Sequence, residues 1–305
     1  MKFAQSQELA DFLRKEQIFP QILSVKEICV GGSSYNFCIK TTKGEFFLKL
    51  ISAKRVEIYR LLKKILSQFE FLYPLRQEKF ADFYLLAMPY VIGRKLKYKD
   101  CSPELFAKLQ AEYGKFQACD VAKEYIRPQQ NMPKMIEKIS ECLQKDTSLA
   151  GRLLSKYFWQ KIKPELVCLE SSAKFIHGDL TANNILLDKN GVPHLLDFEQ
   201  IRYGYEIEDV CYLFLQLSGF RGLWGRIGHF ARLRKMIEPL LQNEISAEYW
   251  LYGVQLFYLN HLYRRLINPK KHSSFRKEMC LLWSLRQYFR LSRYLHTVYG
   301  VFSLK

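Results

Sequence analysis

The chain has 305 residues, is 49% hydrophobic and 15% aromatic, and carries a formal net charge of +17. That much apolar material excludes a long disordered chain, and the length allows one large domain or two lobes. No apolar run approaches the ~20 residues needed to cross a bilayer, and Met1 to Lys15 lacks the apolar core of a secretory signal, so the expected setting is cytoplasmic.

In chain order, Gln7 to Lys15 reads as a short amphipathic helix. Three strand-like runs follow. Lys26 to Val30 leads through Gly31-Gly32-Ser33-Ser34 into Tyr35 to Thr41, and Thr42-Lys43-Gly44 turns into Glu45 to Ile51. Ser52 can cap a helix from Ala53 to about Ser67, with Val56, Tyr59, Leu62 and Leu66 on one face. A further strand pair is expected near Glu70 to Tyr73 and Phe83 to Met88. Pro89 and Gly93 then break the pattern and suit a connector between lobes. Beyond Ser102 the chain reads helical over Pro103 to Gln117, Met132 to Leu143 and Leu149 to Lys161. A hairpin, Asn184 to Leu187 and His194 to Asp197, turns at Asn190-Gly191, and helices resume near Ile207.

The chemistry concentrates in Phe175-Ile176-His177-Gly178-Asp179-Leu180-Thr181-Ala182-Asn183-Asn184, followed by Leu196-Asp197-Phe198-Glu199. Phosphoryl transfer needs a carboxylate beside the attacking hydroxyl, and it needs hard oxygen ligands for Mg²⁺, which fills its octahedron with water and phosphate oxygens. Asp179 has the place of the first, Asn184 and Asp197 of the second. Asp197 alone would read as an ordinary turn residue; the spacing of all three across a hairpin reads as a site.

These segments resemble the kinase catalytic loop H-x-D-x-x-x-x-N and its D-F-x metal motif. More closely they resemble the aminoglycoside phosphotransferase and choline kinase superfamily, where the loop reads H-G-D or H-N-D and D-F-E replaces D-F-G. His177-x-Asp179-Leu180-x-x-x-Asn184-Ile185-Leu186-Leu187-Asp188 is also similar to bacterial lipopolysaccharide-core sugar kinases. The resemblance implies an α+β, bilobal protein-kinase-like fold with ATP and Mg²⁺ as cofactors. Residues 1–90 would form a small antiparallel-sheet lobe and residues 91–305 a mostly helical catalytic and acceptor-binding lobe, with ATP between them.

By resemblance, Asp209 braces the catalytic loop and His177 packs within it. Gly32, Ser33 and Ser34 approach the phosphates through backbone N–H groups. Lys49, in the apolar run Phe46-Phe47-Leu48-Lys49-Leu50, has the place of the phosphate-gripping β3 lysine, with Glu57 as its carboxylate partner. Met88 to Val91, with Tyr90 among them, would contact adenine. The implied activity transfers the γ-phosphoryl group to a hydroxyl of a small molecule or sugar. An envelope-glycolipid sugar is the second reading and a non-catalytic nucleotide-binding scaffold the third. Glu199 in place of glycine weighs against a protein kinase.

Eight cysteines show no C-x-x-C spacing and read as reduced thiols. The positive charge attracts anions, but no zinc finger, RNP-like strand or basic-region helix supports specific nucleic-acid binding. From His261 to Lys305, ten Lys or Arg stand against Glu278 alone, on a segment where Leu281, Leu285, Tyr288, Leu291 and Leu295 recur at helical spacing. That region is either a packed helix with a solvated basic face or a surface for anionic lipid at the inner membrane face.

Overall fold

The computed structural model describes residues 6–19, 21–28, 36–63, 71–77, 80–117, 132–145, 151–152, 154–159, 174–220, 225–238, 247–267 and 274–299. The chain divides into two compact units. The first comprises Met1–Arg94, Gly114–Ile126 and Leu187–Asn190; the second comprises Lys95–Tyr113, Arg127–Leu186 and Gly191–Lys305.

In the first unit, α1 (Ser6–Lys15) precedes β1 (Ile22–Glu27), β2 (Asn36–Thr41) and β3 (Gly44–Ser52). Helix α2 (Ala53–Lys63), β4 (Phe71–Gln77) and β5 (Phe80–Pro89) follow. The strands form one antiparallel sheet in the order β1-β2-β3-β5-β4. Strand β1 begins four residues before the predicted run, and β5 extends through Met88 and Pro89, which pair with Phe47 and Phe46. Proline is tolerated there because the strand ends at that residue. Cross-strand partners share a face. Phe37, Ile39, Leu48, Leu50, Leu85 and Ala87 therefore line one side of the sheet and pack with Leu9 and Leu13 of α1. Lys49, opposite Asn36 on β2 and Leu86 on β5, points to the other side.

The second unit begins its helices with α3 (Pro103–Gln117). Ser102 caps it: its hydroxyl accepts the Leu105 N–H at 3.1 Å, and Pro103 occupies the first position, where no amide hydrogen is needed. Then come α4 (Met132–Lys145), a π-helical turn (Leu154–Trp159) and β7 (Lys174–Ile176). Hairpin β8 (Ile185–Asp188) and β9 (Pro193–Leu195) pairs with β6 (Gly93–Lys95) in the order β6-β8-β9. The remaining elements are β10 (Arg202–Gly204), α5 (Glu206–Leu217), α6 (Ile227–Ile237), α7 (Ala247–Ile267) and α8 (Ser274–Tyr299).

The core of this unit is helical and aromatic. Helix α7 is buried on all sides from Trp250 to Asn260, as expected for a helix apolar all round. Trp250 stacks on Phe214 of α5 and meets Phe230 of α6 edge-on, both with centroids 5.8 Å apart. Gly253 lets α5 and α7 approach closely: a Cβ there would lie 2.5 Å from Cys211 Sγ and 2.9 Å from the Ile207 carbonyl. Cys38, Cys101, Cys142 and Cys211 are free thiols. Burial pushes the Cys101 thiol up to about 12 and Cys211 well above its ordinary value, so both remain unreactive.

Candidate active site

Strands β7 and β10 pair antiparallel, with Ile176 opposite Arg202, and the chain leaves β7 at His177. Gly178 follows in the left-handed region, φ +77°, with its Cα packed against β10. A Cβ would lie 2.1 Å from the Gln200 carbonyl and 2.4 Å from Arg202 Nη1.

Asp209, on the first turn of α5 and 1% exposed, holds this bend. Its carboxylate accepts the His177 N–H at 2.7 Å, the Gly178 N–H at 2.9 Å and the Tyr113 hydroxyl at 2.7 Å. Burial pushes the Tyr113 hydroxyl well above its usual range, and Asp209 adds to the shift, so it serves as a donor. A second residue of α5, Gln216, accepts the Ala182 N–H at 2.8 Å. Helix α5 thus grips the loop on both sides of Asp179.

The His177 ring, fully buried, ties the loop to Leu196, the residue that follows β9. Its Nδ1 accepts the Asp179 N–H at 3.3 Å, which leaves Nε2 to donate to the Leu196 carbonyl at 2.9 Å. The Leu196 N–H donates in turn to the Asn184 carbonyl at 2.8 Å. Leu196 is therefore fixed through both its peptide groups to the loop that carries Asp179 and Asn184, and Asp197 is the next residue.

Asn184 closes the arrangement. Its Nδ2 donates to the Asp179 carbonyl at 2.9 Å and to the Asp179 carboxylate at 3.1 Å. With the amide nitrogen so committed, Oδ1 is the acceptor left for another partner. Asp197 is exposed and sits in the left-handed region at φ 61°, ψ 63°, a conformation seldom taken by residues other than glycine. Phe198 beside it is buried, its ring 5.3 Å from that of His177. The loop, the hairpin end and α5 thus bring Asp179, Asn184 and Asp197 onto one connected framework, in which their side chains are half-buried or exposed.

Sequence reasoning missed a buried ion pair behind this framework. Arg202 of β10, 4% exposed, donates from Nη2 to Glu208 of α5, 1% exposed. Glu208 also accepts the Tyr205 N–H at 2.9 Å. Burial alone would depress the Arg202 guanidinium, but the Glu208 and Asp209 carboxylates more than offset it and hold it charged. Acids at 208 and 209 within the apolar run Ile207 to Leu217 were the available signal, since buried charges require partners.

In the first unit Lys49 is 5% exposed, and Met88 lies on the same sheet face, on the adjacent strand. Glu57 of α2 is ion-paired with Arg60, and its side chain is 41% exposed. Tyr90, 36% exposed, donates its N–H to the Glu45 carbonyl at 2.9 Å. Gly32, Ser33 and Ser34 lie outside the described residues.

The model of the APH phosphotransferase enzyme family matches residues 24–232, more than half of the chain. The chain belongs to that family. As a kinase of this family it also shares its fold with solved structures. An aminoglycoside 2'-phosphotransferase-IIIa variant, in complex with GDP, superposes with a TM-score of 0.65 at 13% identity, covering 96% of this chain and 98% of that one. Spectinomycin phosphotransferase, in complex with ADP and spectinomycin, gives 0.60 at 14% identity over 94% of both chains. Choline kinase LicA from Streptococcus pneumoniae gives 0.55 at 18% identity, covering 96% of this chain and 100% of that one. Comparison with curated proteins gives no match. This phosphotransferase therefore has the α+β, protein-kinase-like fold, its five-stranded antiparallel sheet in the first unit and most of its helices in the second. The similarity to lipopolysaccharide-core sugar kinases rests on the sequence block alone.

Proposed function

We propose that this phosphotransferase moves the γ-phosphoryl group of ATP to a hydroxyl of a small molecule or sugar. The observation that carries the reading is the Asn184 side chain. By donating to both the carbonyl and the carboxylate of Asp179, it orients the base and leaves its own Oδ1 as the side chain's remaining acceptor. Asn184 Oδ1 and the exposed Asp197 carboxylate are hard oxygen donors that suit Mg²⁺, which takes its other ligands from water and phosphate. Bound there, the metal would neutralise charge on the phosphates. Asp179 accepts the proton of the acceptor hydroxyl and aligns that oxygen for in-line attack. Lys49 grips the phosphates, while Glu57, which the structure pairs with Arg60, is left out of the grip, and Met88 and Tyr90 flank the adenine. His177 and Asp209 hold the loop in shape.

The deciding experiment is labelled ATP incubated with the purified chain and cell extract, resolved into protein, lipid and small-molecule fractions. Label appearing in a small-molecule or lipid fraction supports the reading. Nucleotide binding with no transfer to any fraction would favour a scaffold instead. Transfer confined to protein would replace it with a protein kinase.

A sugar acceptor bearing acid groups, such as that of an envelope glycolipid, is the second reading. It is favoured by the +17 net charge, which repels polycationic acceptors over long range.

Two consequences can be measured directly. Lys49→Met will weaken nucleotide binding and cut turnover roughly 10²-fold or more, because it removes the cation opposed to the phosphates. Unchanged nucleotide affinity would exclude Lys49 from the site. Asp197→Gly will lose Mg²⁺-dependent turnover yet hold its stability to denaturant within about 1 kcal/mol, since glycine adopts the left-handed backbone without strain. A marked loss of stability would mean that Asp197 is structural.

A further inference from the structure

Helix α8 has two faces of different chemistry. Gln287, Tyr288, Leu291, Ser292 and Leu295 are at most 5% exposed and pack inward. On the opposite side Arg286 and Arg293 are exposed, and Phe289 between them is 44% exposed. At ~100° per residue these three side chains fall within about 60° of one another, so they form a single outward ridge. Arg290 flanks the ridge, with its guanidinium 5.6 Å above the Phe220 ring and donating to Gln287. From Trp283 to Tyr299 the helix contains no acidic residue.

The cations attract a negatively charged surface, and the ring gains by leaving water at the level of lipid headgroups. Arg286 and Arg293 lie about 10 Å apart along the axis. That span exceeds one phosphate group and matches a surface carrying many. A second copy of the same ridge would be repelled by its own charge. A nucleic-acid backbone would satisfy the arginines but would leave Phe289 unburied.

We propose that the outward ridge of α8, formed by Arg286, Phe289 and Arg293, docks this phosphotransferase on an anionic phospholipid bilayer. The docking is separate from phosphoryl transfer and does not depend on the identity of the acceptor. Each arginine near an anionic surface strengthens partitioning roughly five-fold, and burying the ring adds about tenfold or more.

The test is sedimentation of the full chain with vesicles of phosphatidylglycerol and phosphatidylcholine, compared with phosphatidylcholine alone. The chain is expected to pellet with the anionic vesicles only, and less so as salt rises. Arg286→Glu combined with Arg293→Glu should reduce partitioning at least ~25-fold. Phe289→Ser should reduce it roughly tenfold. Both variants should keep the circular dichroism spectrum and nucleotide affinity of the parent, because the substituted side chains are outward. Absence of pelleting, equal pelleting with neutral vesicles, or partitioning untouched by either variant overturns the proposal. So does a parent that ignores vesicles but binds duplex DNA, or that forms a dimer dissolved by Phe289→Ser.

Discussion

Asp179→Asn is expected to bind nucleotide with the affinity of the parent and to transfer phosphate to acceptor 10²–10⁴-fold more slowly, roughly the range that a positioned general base contributes. Asparagine is the informative replacement. The Asn184 side chain bonds Asp179 through both its carbonyl and its carboxylate, so an amide oxygen at the same place keeps the second bond while removing charge and basicity. The loop then stays in shape, held by Asp209, Gln216 and the His177 ring. Asp179→Ala loses the carboxylate bond to Asn184 as well, and should therefore disturb Mg²⁺ dependence in addition to turnover. The measurements are nucleotide titration calorimetry and steady-state transfer at several Mg²⁺ concentrations. Undiminished transfer by the asparagine variant would remove Asp179 from the chemistry. A loss of nucleotide affinity equal to the loss in turnover would place it in nucleotide binding instead.

Much of this arrangement was legible in the sequence because it is built from local signals. The β2–β3 turn at Thr42 to Gly44, the helix that starts at Pro103 and the Asn190-Gly191 hairpin are each written within a few residues, and the elements lie where those signals put them. The histidine, aspartate and asparagine spacing of the loop is local in the same way. What was hidden is non-local or too short to show a period. Tyr113 and Asp209 are 96 residues apart, and nothing around Tyr113 in α3 marks it as a loop brace. Strands β7 and β10 have three residues each, too few for alternation to declare a face. Arg202 reads as one more cation in a basic chain until β10 turns it inward against Glu208. Helix α7 is buried all round, so it carries little amphipathic signal, and the region after residue 220 gave only helix without a partner. Charge on α8 was visible, but the exposure of Phe289 was not.

Asp209→Ala should cost both fold and function, and the split between them tests how the loop is held. The carboxylate is 1% exposed and is bonded by the backbone N–H groups of His177 and Gly178 and by the Tyr113 hydroxyl. Alanine strands all three donors in a buried space, at ~1–3 kcal/mol for each one left unpaired. It also leaves the Arg202 guanidinium with Glu208 as its remaining close carboxylate. A loss of about 3–5 kcal/mol in denaturant unfolding is expected, with turnover falling even at temperatures where the variant is folded, because Gly178 is released beside Asp179. Tyr113→Phe removes a single donor and replaces it with a ring of the same shape, so its cost should be only about 1 kcal/mol and turnover should be nearly kept. Asp209→Asn separates charge from shape: its oxygen can still accept one N–H, but its NH₂ faces donors where the carboxylate accepted. If the bracing reading is right, stability falls in the order Tyr113→Phe, Asp209→Asn, Asp209→Ala, and turnover falls in the same order. An Asp209→Ala protein as stable and as active as the parent would show that the loop holds its shape without α5.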